Sequence, residues 1–203
     1  SAIQPTILQE VLAVFNTTAR EVCEGQQLDM DFEKIENISL DDYLQMITLK
    51  TSVLLAASLK MGAIIGGAGK GNQHHLYKFG ENMGIAFQIQ DDYLDAFGDS
   101  EKTGKRKGGD IMVNKKTFLL IKAMEIATGE QRESLKNSMA LKSDEKVEKV
   151  INVFKNLGVD KWAEELKSEY MNKAMYHLEE IAVLNKRKES LKTLANLLLH
   201  RDY

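Results

Sequence analysis

Three aspartates within five residues mark the most chemically distinctive stretch of the sequence, GIAFQIQDDYLDAFGD. On a helix, Asp91 and Asp95 are four residues apart and share a face, Asp92 flanks them, and Gln88 lies one turn earlier. A solvated acidic face normally carries interleaved lysine or arginine residues. Here no such cation occurs from Phe79 through Glu101, although six acidic residues do. The compensating positive charge must therefore come from elsewhere.

A divalent cation would relieve the repulsion within this acidic face. Like charges at helical spacing destabilise a helix by about 0.2 to 0.5 kcal/mol per pair, which a protein can tolerate. Mg²⁺ prefers one or two carboxylates together with waters and substrate phosphates, so the pattern favours a half-open magnesium site at Asp91, Asp92 and Asp95. The spacing and the helical setting exclude an EF-hand.

A basic, glycine-rich segment follows one turn later, in KTGKRKGGDIMVNKK. It does not have the G-x-x-x-x-G-K-[ST] order of a phosphate-binding P-loop, and by itself it could be a solvated loop or a nuclear-localisation-like patch. Beside a helix of uncompensated carboxylates, however, it predicts a diphosphate bridged by Mg²⁺. The cations available for such an anion are Lys102, Lys105, Arg106, Lys107, Lys115 and Lys116.

A third element is Lys50 with Thr51, which precede the apolar run SVLLAAS. A lysine here could be a surface residue whose stem covers apolar side chains. Alternatively, it projects into a cavity with apolar walls and a diphosphate at the mouth. An isoprenoid chain is the natural occupant of such a cavity.

The composition fits a folded protein of ordinary type. The 203 residues are 43% hydrophobic and 28% charged, enough to bury a core. The net charge of -3 argues against a general nucleic-acid binder, and an RNA-binding role for the Lys102 to Lys116 segment is a weak alternative. The single cysteine, Cys23, indicates a reducing, cytoplasmic compartment and is expected to be buried. The longest apolar run, Thr51 to Ala68, contains Lys60 and predicts a core helix rather than a membrane span.

Helical periodicity dominates the chain and predicts an all-α fold of one domain, residues 1–203. The first helix is expected from about Thr6 to Glu24, after which EGQQLDMDFEKIENI breaks the pattern. Ser39 with Asp42 predicts the capped start of a long helix to about Ile65. Further helices are expected at about Gln73 to Phe97, Lys116 to Ala127, Glu130 to Ala140, Ser143 to Leu157 and Asp160 to Ile181, and one ending near His200.

Five motifs in order resemble the trans-isoprenyl diphosphate synthase family, which includes the farnesyl and geranylgeranyl diphosphate synthases. The motifs are EGQQLD, MITLKTSVLLAASLKMGA, GIAFQIQDDYLDAFGD, TGKRKGGD and NKKT. The resemblance implies an all-helical bundle around a central cavity, in a homodimer. It also implies a transferase that condenses an allylic diphosphate with isopentenyl diphosphate to give a longer trans-polyprenyl diphosphate, with three Mg²⁺ ions.

The resemblance assigns roles to residues of this sequence. Asp91 and Asp95 are expected at a magnesium ion, with Asp92 in or beside its water shell. The allylic diphosphate is expected to be held by Lys50, Lys105 and Lys115, although Lys116 is adjacent to the last of these. Gln88 and Thr51 are expected to face the cationic centre, and Phe87 to line the site near isopentenyl diphosphate. The catalytic set is therefore Lys50, Thr51, Gln88 and Asp91.

One departure from the family pattern is the lack of a DDxxD before Asp91, where members carry a first aspartate-rich motif followed by arginines. We expect the chain to be the C-terminal part of a larger isoprenoid synthase domain. The alternatives are a natural short member and a non-catalytic regulatory subunit of another prenyl diphosphate synthase. A terpene cyclase with similar metal chemistry fits the TGKRKGGD and KT elements less well.

Overall fold

The structure is a computed structural model that describes residues 4–99, 107–143 and 145–199. These ranges contain helices and no strand, so the predicted all-α fold is confirmed. The helices are α1 (Pro5–Phe32), α2 (Leu40–Ile47), a π-helical turn (Thr48–Ser52), α3 (Val53–Ile65), α4 (Lys70–Phe97), α5 (Gly109–Met112), α6 (Phe118–Ile126), α7 (Gly129–Met139), α8 (Glu145–Asn156), α9 (Val159–Glu179) and α10 (Asn185–Leu199).

Helix α1 is longer than predicted, because it continues through Gly25 to Phe32 instead of ending near Glu24. Gly25 is a point of close packing and not a break. A Cβ atom built there would overlap the backbone nitrogen of Lys50 and lie 2.7 Å from the carbonyl carbon of Leu49. The bare glycine therefore lets α1 lie directly against the π-helical turn.

The outer surface of α1 also differs from expectation. Phe15 is 56% exposed, and Leu8 and Leu12 are about half exposed beside it. Cys23, predicted to be buried, is exposed and free, because the helix turns it away from the packed side. An apolar strip of α1 thus has no cover among the described residues.

The second helical segment begins as predicted at Ser39. The hydroxyl of Ser39 accepts a hydrogen bond from the Asp42 backbone amide at 3.1 Å, and the Asp42 carboxylate accepts one from the Ser39 backbone amide at 3.0 Å. The helix runs on to Ile65 without interruption, except that Thr48–Ser52 forms a π-helical turn. Such turns are common at functional sites because they rotate the side chains that follow.

By length and composition alone, Leu40–Ile65 could cross a membrane, and it is the one stretch of the described residues for which this holds. A core helix meets the same test. Here 39% of the most apolar window is buried within the protein, where α3 packs against α1 and α4. This packing fits the predicted core helix.

Helix α4 lies at the centre and contacts both halves of the core. Near its start it contributes Phe79 and Met83 to one buried cluster, which also contains Leu178 of α9. Near its end it contributes Ile89 to a second cluster with residues of α2 and α6. Gly84 allows the backbones of α4 and the π-helical turn to meet, since a Cβ there would lie 2.6 Å from the Cα of Ser52. The part of α4 that leads into the acidic stretch is therefore held by packing.

The later helices lie within two residues of their predicted bounds from Lys116 to Ile181. The short helix α5 was not predicted, since four residues are too few for a periodic pattern.

Replacing Gly25 tests the close packing of α1 on the π-helical turn. The Gly25→Ala change is expected to lower the free energy of unfolding by about 2 kcal/mol or more, because the methyl group must displace backbone atoms. The matched control is Gly62→Ala in α3, where a Cβ meets nothing within 4 Å. That change is expected to stabilise by about 0.5 to 1 kcal/mol. Urea denaturation of both variants measures the difference, and equal effects would contradict the packing role.

Candidate active site

The three aspartates of α4 point in different directions. Asp91 is exposed, Asp95 is partly buried, and Asp92 is buried with 3% of its surface accessible. The face shared by Asp91 and Asp95 therefore looks outward, whereas Asp92 is directed into the contact with α2.

Asp92 has a protein donor at each carboxylate oxygen. The Tyr43 hydroxyl donates to Oδ2 at 2.6 Å, and the Gln88 side-chain amide donates to Oδ1 at 2.9 Å. Burial raises the pKa of the Asp92 carboxyl to about 6, against the lowering effects of Lys115 and of these two hydrogen bonds. Burial, followed by the nearby Asp92 charge, likewise raises the pKa of the Tyr43 hydroxyl.

Asp95 contacts the start of α5. Its Oδ2 accepts a hydrogen bond from the Asp110 backbone amide at 3.0 Å. Burial raises the pKa of the Asp95 carboxyl, and the Asp110 amide partly offsets that effect. The left-handed conformation of Gly108, with φ of 72°, brings the chain into this contact. Helix α5 thus places a further carboxylate, that of Asp110, beside the acidic face.

The adjacent lysines Lys115 and Lys116 have different partners, which separates their roles. The Lys115 ammonium lies 3.1 Å from Asp110 Oδ2 and 3.9 Å from Asp92 Oδ1. Burial lowers the pKa of Lys115, but attraction to Asp92 and Asp110 outweighs that effect and the net shift is upward. Lys116 instead donates to the backbone carbonyls of Phe32, at 2.7 Å, and Ile35. Lys115 therefore faces the acidic face, while Lys116 caps the end of α1.

Lys50 and Thr51 approach the same region from the π-helical turn. Lys50 forms an ion pair with Asp29 of α1 at 2.6 Å. Thr51 Oγ1 donates to Gln88 Oε1 at 3.3 Å. Both contacts depend on the close packing of α1, the π-helical turn and α4. Lys105, the third lysine predicted to bind diphosphate, lies outside the described residues.

Two cavities lie along these helices. A cleft of about 20 Å³, roughly the space of one water molecule, contains the ends of Lys50, Gln88, Asp92 and Lys115. A larger cavity of about 370 Å³ is almost entirely apolar and is lined by Leu54, Leu55, Ser58, Leu59, Met83, Phe87, Leu194 and Leu198. Phe87 directly precedes Gln88, and Leu54 follows Thr51 by one turn. The polar cleft and the apolar cavity therefore share two helical segments, α4 and the continuous segment Leu40–Ile65.

The donor groups suit a hard cation that also binds substrate. No group of three or more His, Cys, Asp or Glu side chains in the described ranges is arranged to hold a metal ion. Asp91 and Asp95 supply two accessible carboxylates on one helix face, the number that Mg²⁺ takes when phosphates and waters complete its shell. The residues therefore fit a half-open magnesium site and not a closed one.

Three polar residues at this site were not predicted from the sequence: Asp29, Tyr43 and Asp110. Asp29 was missed because α1 was expected to end before it. Tyr43 precedes Lys50 by seven residues, two helical turns, and this spacing could have placed it on the same face. Asp110 lies five residues before Lys115, in a segment whose basic residues alone were considered as ligands for a phosphate.

Comparisons with known proteins identify similar sequences and similar folds. The model of the polyprenyl synthetase family matches residues 3–157. The short chain isoprenyl diphosphate synthase of Methanothermobacter thermautotrophicus is 35% identical over 197 residues, and the geranylgeranyl diphosphate synthase of Saccharolobus solfataricus is 34% identical over 195. These matches cover 97% and 95% of the chain.

Solved structures give the same result. A crystal structure of a geranylgeranyl pyrophosphate synthase matches with a TM-score of 0.91 and 41% identity over 98% of the chain. That of the geranylgeranyl pyrophosphate synthetase from Pyrococcus horikoshii Ot3 matches with a TM-score of 0.89 and 32% identity over 99% of the chain. The chain spans 60% and 58% of the two curated relatives and 63% and 61% of the two solved chains.

The burial of Asp92 predicts a pH dependence of stability. Because the pKa is about 6 in the folded protein and 3.8 ordinarily, the folded state binds more protons than the unfolded chain between about pH 4 and 6. The free energy of unfolding should therefore fall as the pH rises through this window, by about 3 kcal/mol from this group.

Urea unfolding at a series of pH values measures this contribution. In Asp92→Asn the group no longer titrates, so that part of the fall should disappear. The control Asp41→Asn makes the same change on an exposed side chain, and this variant should retain the full fall in the free energy of unfolding. An Asp92→Asn protein with the wild-type pH profile would contradict the assignment.

Proposed function

The chain belongs to the polyprenyl synthetase family, and from that premise we propose that the protein is a trans-prenyltransferase. It joins an allylic diphosphate to isopentenyl diphosphate and releases a longer trans-polyprenyl diphosphate and diphosphate. The observation that carries this proposal is the polar cleft of Lys50, Gln88, Asp92 and Lys115 beside an apolar cavity on the same two helices. This arrangement suits a substrate with an anionic head and a hydrocarbon tail.

The acidic face of α4 is proposed to hold magnesium through Asp91 and Asp95, with three ions in the complete enzyme. Bound Mg²⁺ would neutralise charge on the diphosphate and favour its departure. Asp92, in contrast, has both of its oxygens engaged by Tyr43 and Gln88. We therefore place Asp92 beside the metal site rather than in it.

The lysines are proposed to bind the diphosphate of the allylic substrate. In the structure Lys50 and Lys115 pair with Asp29 and Asp110, and each lysine side chain is partly exposed, so each can donate to a phosphate oxygen. Lys105 is proposed as a third contact. When the carbon–oxygen bond breaks, negative charge develops on the diphosphate, and donors already in place stabilise it.

The other product of that cleavage is an allylic cation, which calls for oxygen atoms nearby. Gln88 Oε1 and Thr51 Oγ1 lie 3.3 Å apart and are proposed to face the cationic carbon. The double bond of isopentenyl diphosphate then attacks this carbon, a carbon–carbon bond forms, and a proton leaves to the departing diphosphate. Phe87 and the apolar cavity keep water from the cation.

The assembly and location are proposed as a cytoplasmic homodimer. The exposed apolar strip of α1 with Leu8, Leu12 and Phe15 supports a covering partner surface. The single free cysteine supports a reducing compartment. The relatives reported above are named as synthases, and no observation favours a non-catalytic regulatory subunit.

Product formation tests the proposed reaction. The protein expressed from its complete reading frame, supplied with Mg²⁺, isopentenyl diphosphate and dimethylallyl diphosphate, should yield elongated prenyl diphosphates by mass spectrometry. Omission of Mg²⁺ is the control and should abolish the product. A folded protein that forms no elongated product would overturn the proposal, and light scattering of the same preparation measures the subunit number.

The neighbouring lysines offer a matched pair of variants. Lys115→Met is expected to lower kcat/KM for the allylic diphosphate about 100-fold, because a charged donor to the diphosphate is lost. Lys116→Met should instead lower the free energy of unfolding by about 1 to 2 kcal/mol through the uncapped α1 carbonyls, with kcat/KM nearly unchanged. Steady-state kinetics and urea unfolding separate the two effects. Similar kinetic losses in both variants would contradict the assignment of Lys115.

A further inference from the structure

A chain of hydrogen bonds joins three helical segments at the candidate site. The Tyr43 hydroxyl of α2 donates to Asp92, the Gln88 amide donates to the other oxygen of Asp92, and Thr51 of the π-helical turn donates to Gln88. The three donor–acceptor distances are 2.6, 2.9 and 3.3 Å. The chain therefore runs along the wall of the polar cleft, from the buried Tyr43 through Asp92 to Gln88, and ends at Thr51.

The chemistry of the middle member fixes the direction of the whole chain. An ionised carboxylate only accepts hydrogen bonds, whereas a glutamine amide can present either its oxygen or its NH₂ group. Facing Asp92 Oδ1, Gln88 must turn its NH₂ group toward the carboxylate. Its oxygen Oε1 is then directed toward Thr51. Without Asp92, the amide could rotate by half a turn and expose its NH₂ group there.

Tyr43 in turn holds the carboxylate. Its side chain is 1% exposed and packs against Phe118, with ring centroids 5.8 Å apart, so its hydroxyl has a fixed position. Because the Tyr43 hydroxyl donates to Asp92 Oδ2, the other oxygen, Oδ1, accepts from Gln88. Removal of this hydroxyl would free the carboxylate to rotate about its bond to Cβ.

We propose that Tyr43 and Asp92 are positioning residues, which set the orientation of the Gln88 amide so that its oxygen atom faces the reacting carbon. This inference rests on the proposed prenyl transfer. An allylic cation is stabilised by the partial negative charge of Oε1 and repelled by an NH₂ group at the same place. Asp92 thus acts through Gln88, whereas Asp91 and Asp95 are the proposed metal ligands.

Reversal of one mutation by another provides the kinetic test. In Asp92→Asn, we expect the new amide to turn its oxygen toward Tyr43, because the buried hydroxyl would otherwise lose its acceptor. Its NH₂ group then faces Gln88 and turns the Gln88 amide over. We expect kcat to fall about 100-fold or more, with KM for the allylic diphosphate changed by less than about threefold. A glutamate at position 88 presents an acceptor oxygen on both sides.

The Gln88→Glu change should therefore have opposite effects in the two backgrounds. In the wild type it places a carboxylate against Asp92 and should lower kcat. In Asp92→Asn it should raise kcat by about tenfold or more. If Asp92 served only as a metal ligand or as a packing residue, Gln88→Glu would lower kcat in both backgrounds, and the proposal would be overturned.

The tyrosine is tested by removal of a single oxygen atom. Tyr43→Phe should lower kcat about tenfold with KM nearly unchanged. Tyr176→Phe makes the same change on the exposed face of α9, at a side chain that is 60% exposed, and should leave kcat unchanged. Equal kcat values for Tyr43→Phe and the wild type would contradict the role of Tyr43.

A measurement without substrate or metal separates this inference from the proposed function. In ¹⁵N-glutamine-labelled protein, the Gln88 side-chain NH₂ signal, assigned by its loss in Gln88→Glu, should exchange slowly with solvent. In Asp92→Asn it should exchange at least tenfold faster, because the NH₂ group then loses its carboxylate acceptor and faces Thr51. Fast exchange in the wild type would overturn the positioning role even in an active synthase. Slow exchange in a protein that makes no product would instead count against the proposed reaction alone.

Discussion

The buried carboxylate of Asp92 is the constraint on which the site depends. A charge removed from water is costly unless donors surround it, and the loss of one partner leaves the remaining charge uncompensated. Asp92 meets this demand with Tyr43 from α2, Gln88 from its own helix and Lys115 from beyond α5. Because the partners come from separate segments, satisfying one carboxylate fixes the relative positions of α2, α4 and the chain after α5. The groups proposed to meet the substrate are neighbours of this anchor.

Close backbone packing provides the second part of the arrangement. Gly25 brings α1 against the π-helical turn, and Gly84 brings α4 against the same turn from the other side. The turn is therefore held between two helices at the point where it carries Lys50 and Thr51. This geometry explains why Lys50 reaches Asp29 while Thr51 reaches Gln88, although the two residues are adjacent in sequence.

The helices and the acidic face could be predicted from the sequence because they depend on local patterns. The 3.6-residue periodicity gave most helix bounds, and the lack of lysine and arginine from Phe79 through Glu101 indicated an acidic face on this helix. The direction of each aspartate could not be predicted. Asp91 and Asp92 are adjacent, and the burial of Asp92 depends on its contact with Tyr43, which lies 49 positions away in the sequence. The same holds for Lys115 and Lys116, which differ only in the segments that contact them. The extension of α1 was missed because a glycine that breaks an isolated helix also permits close helix packing.

The charges of the described residues restrict how a diphosphate could enter. Asp29, Asp91, Asp92, Asp95 and Asp110 outnumber Lys50 and Lys115 by three, residues 100–106 not being counted. Both lysines are already paired with aspartates, so a phosphate group that binds them shares each ammonium with a carboxylate. Among these seven residues alone, an added anion would meet net repulsion. The Mg²⁺ ions proposed for this site would compensate the aspartates and the phosphate oxygens together. The acidic excess of these residues would thus couple the proposed binding of substrate to that of the metal.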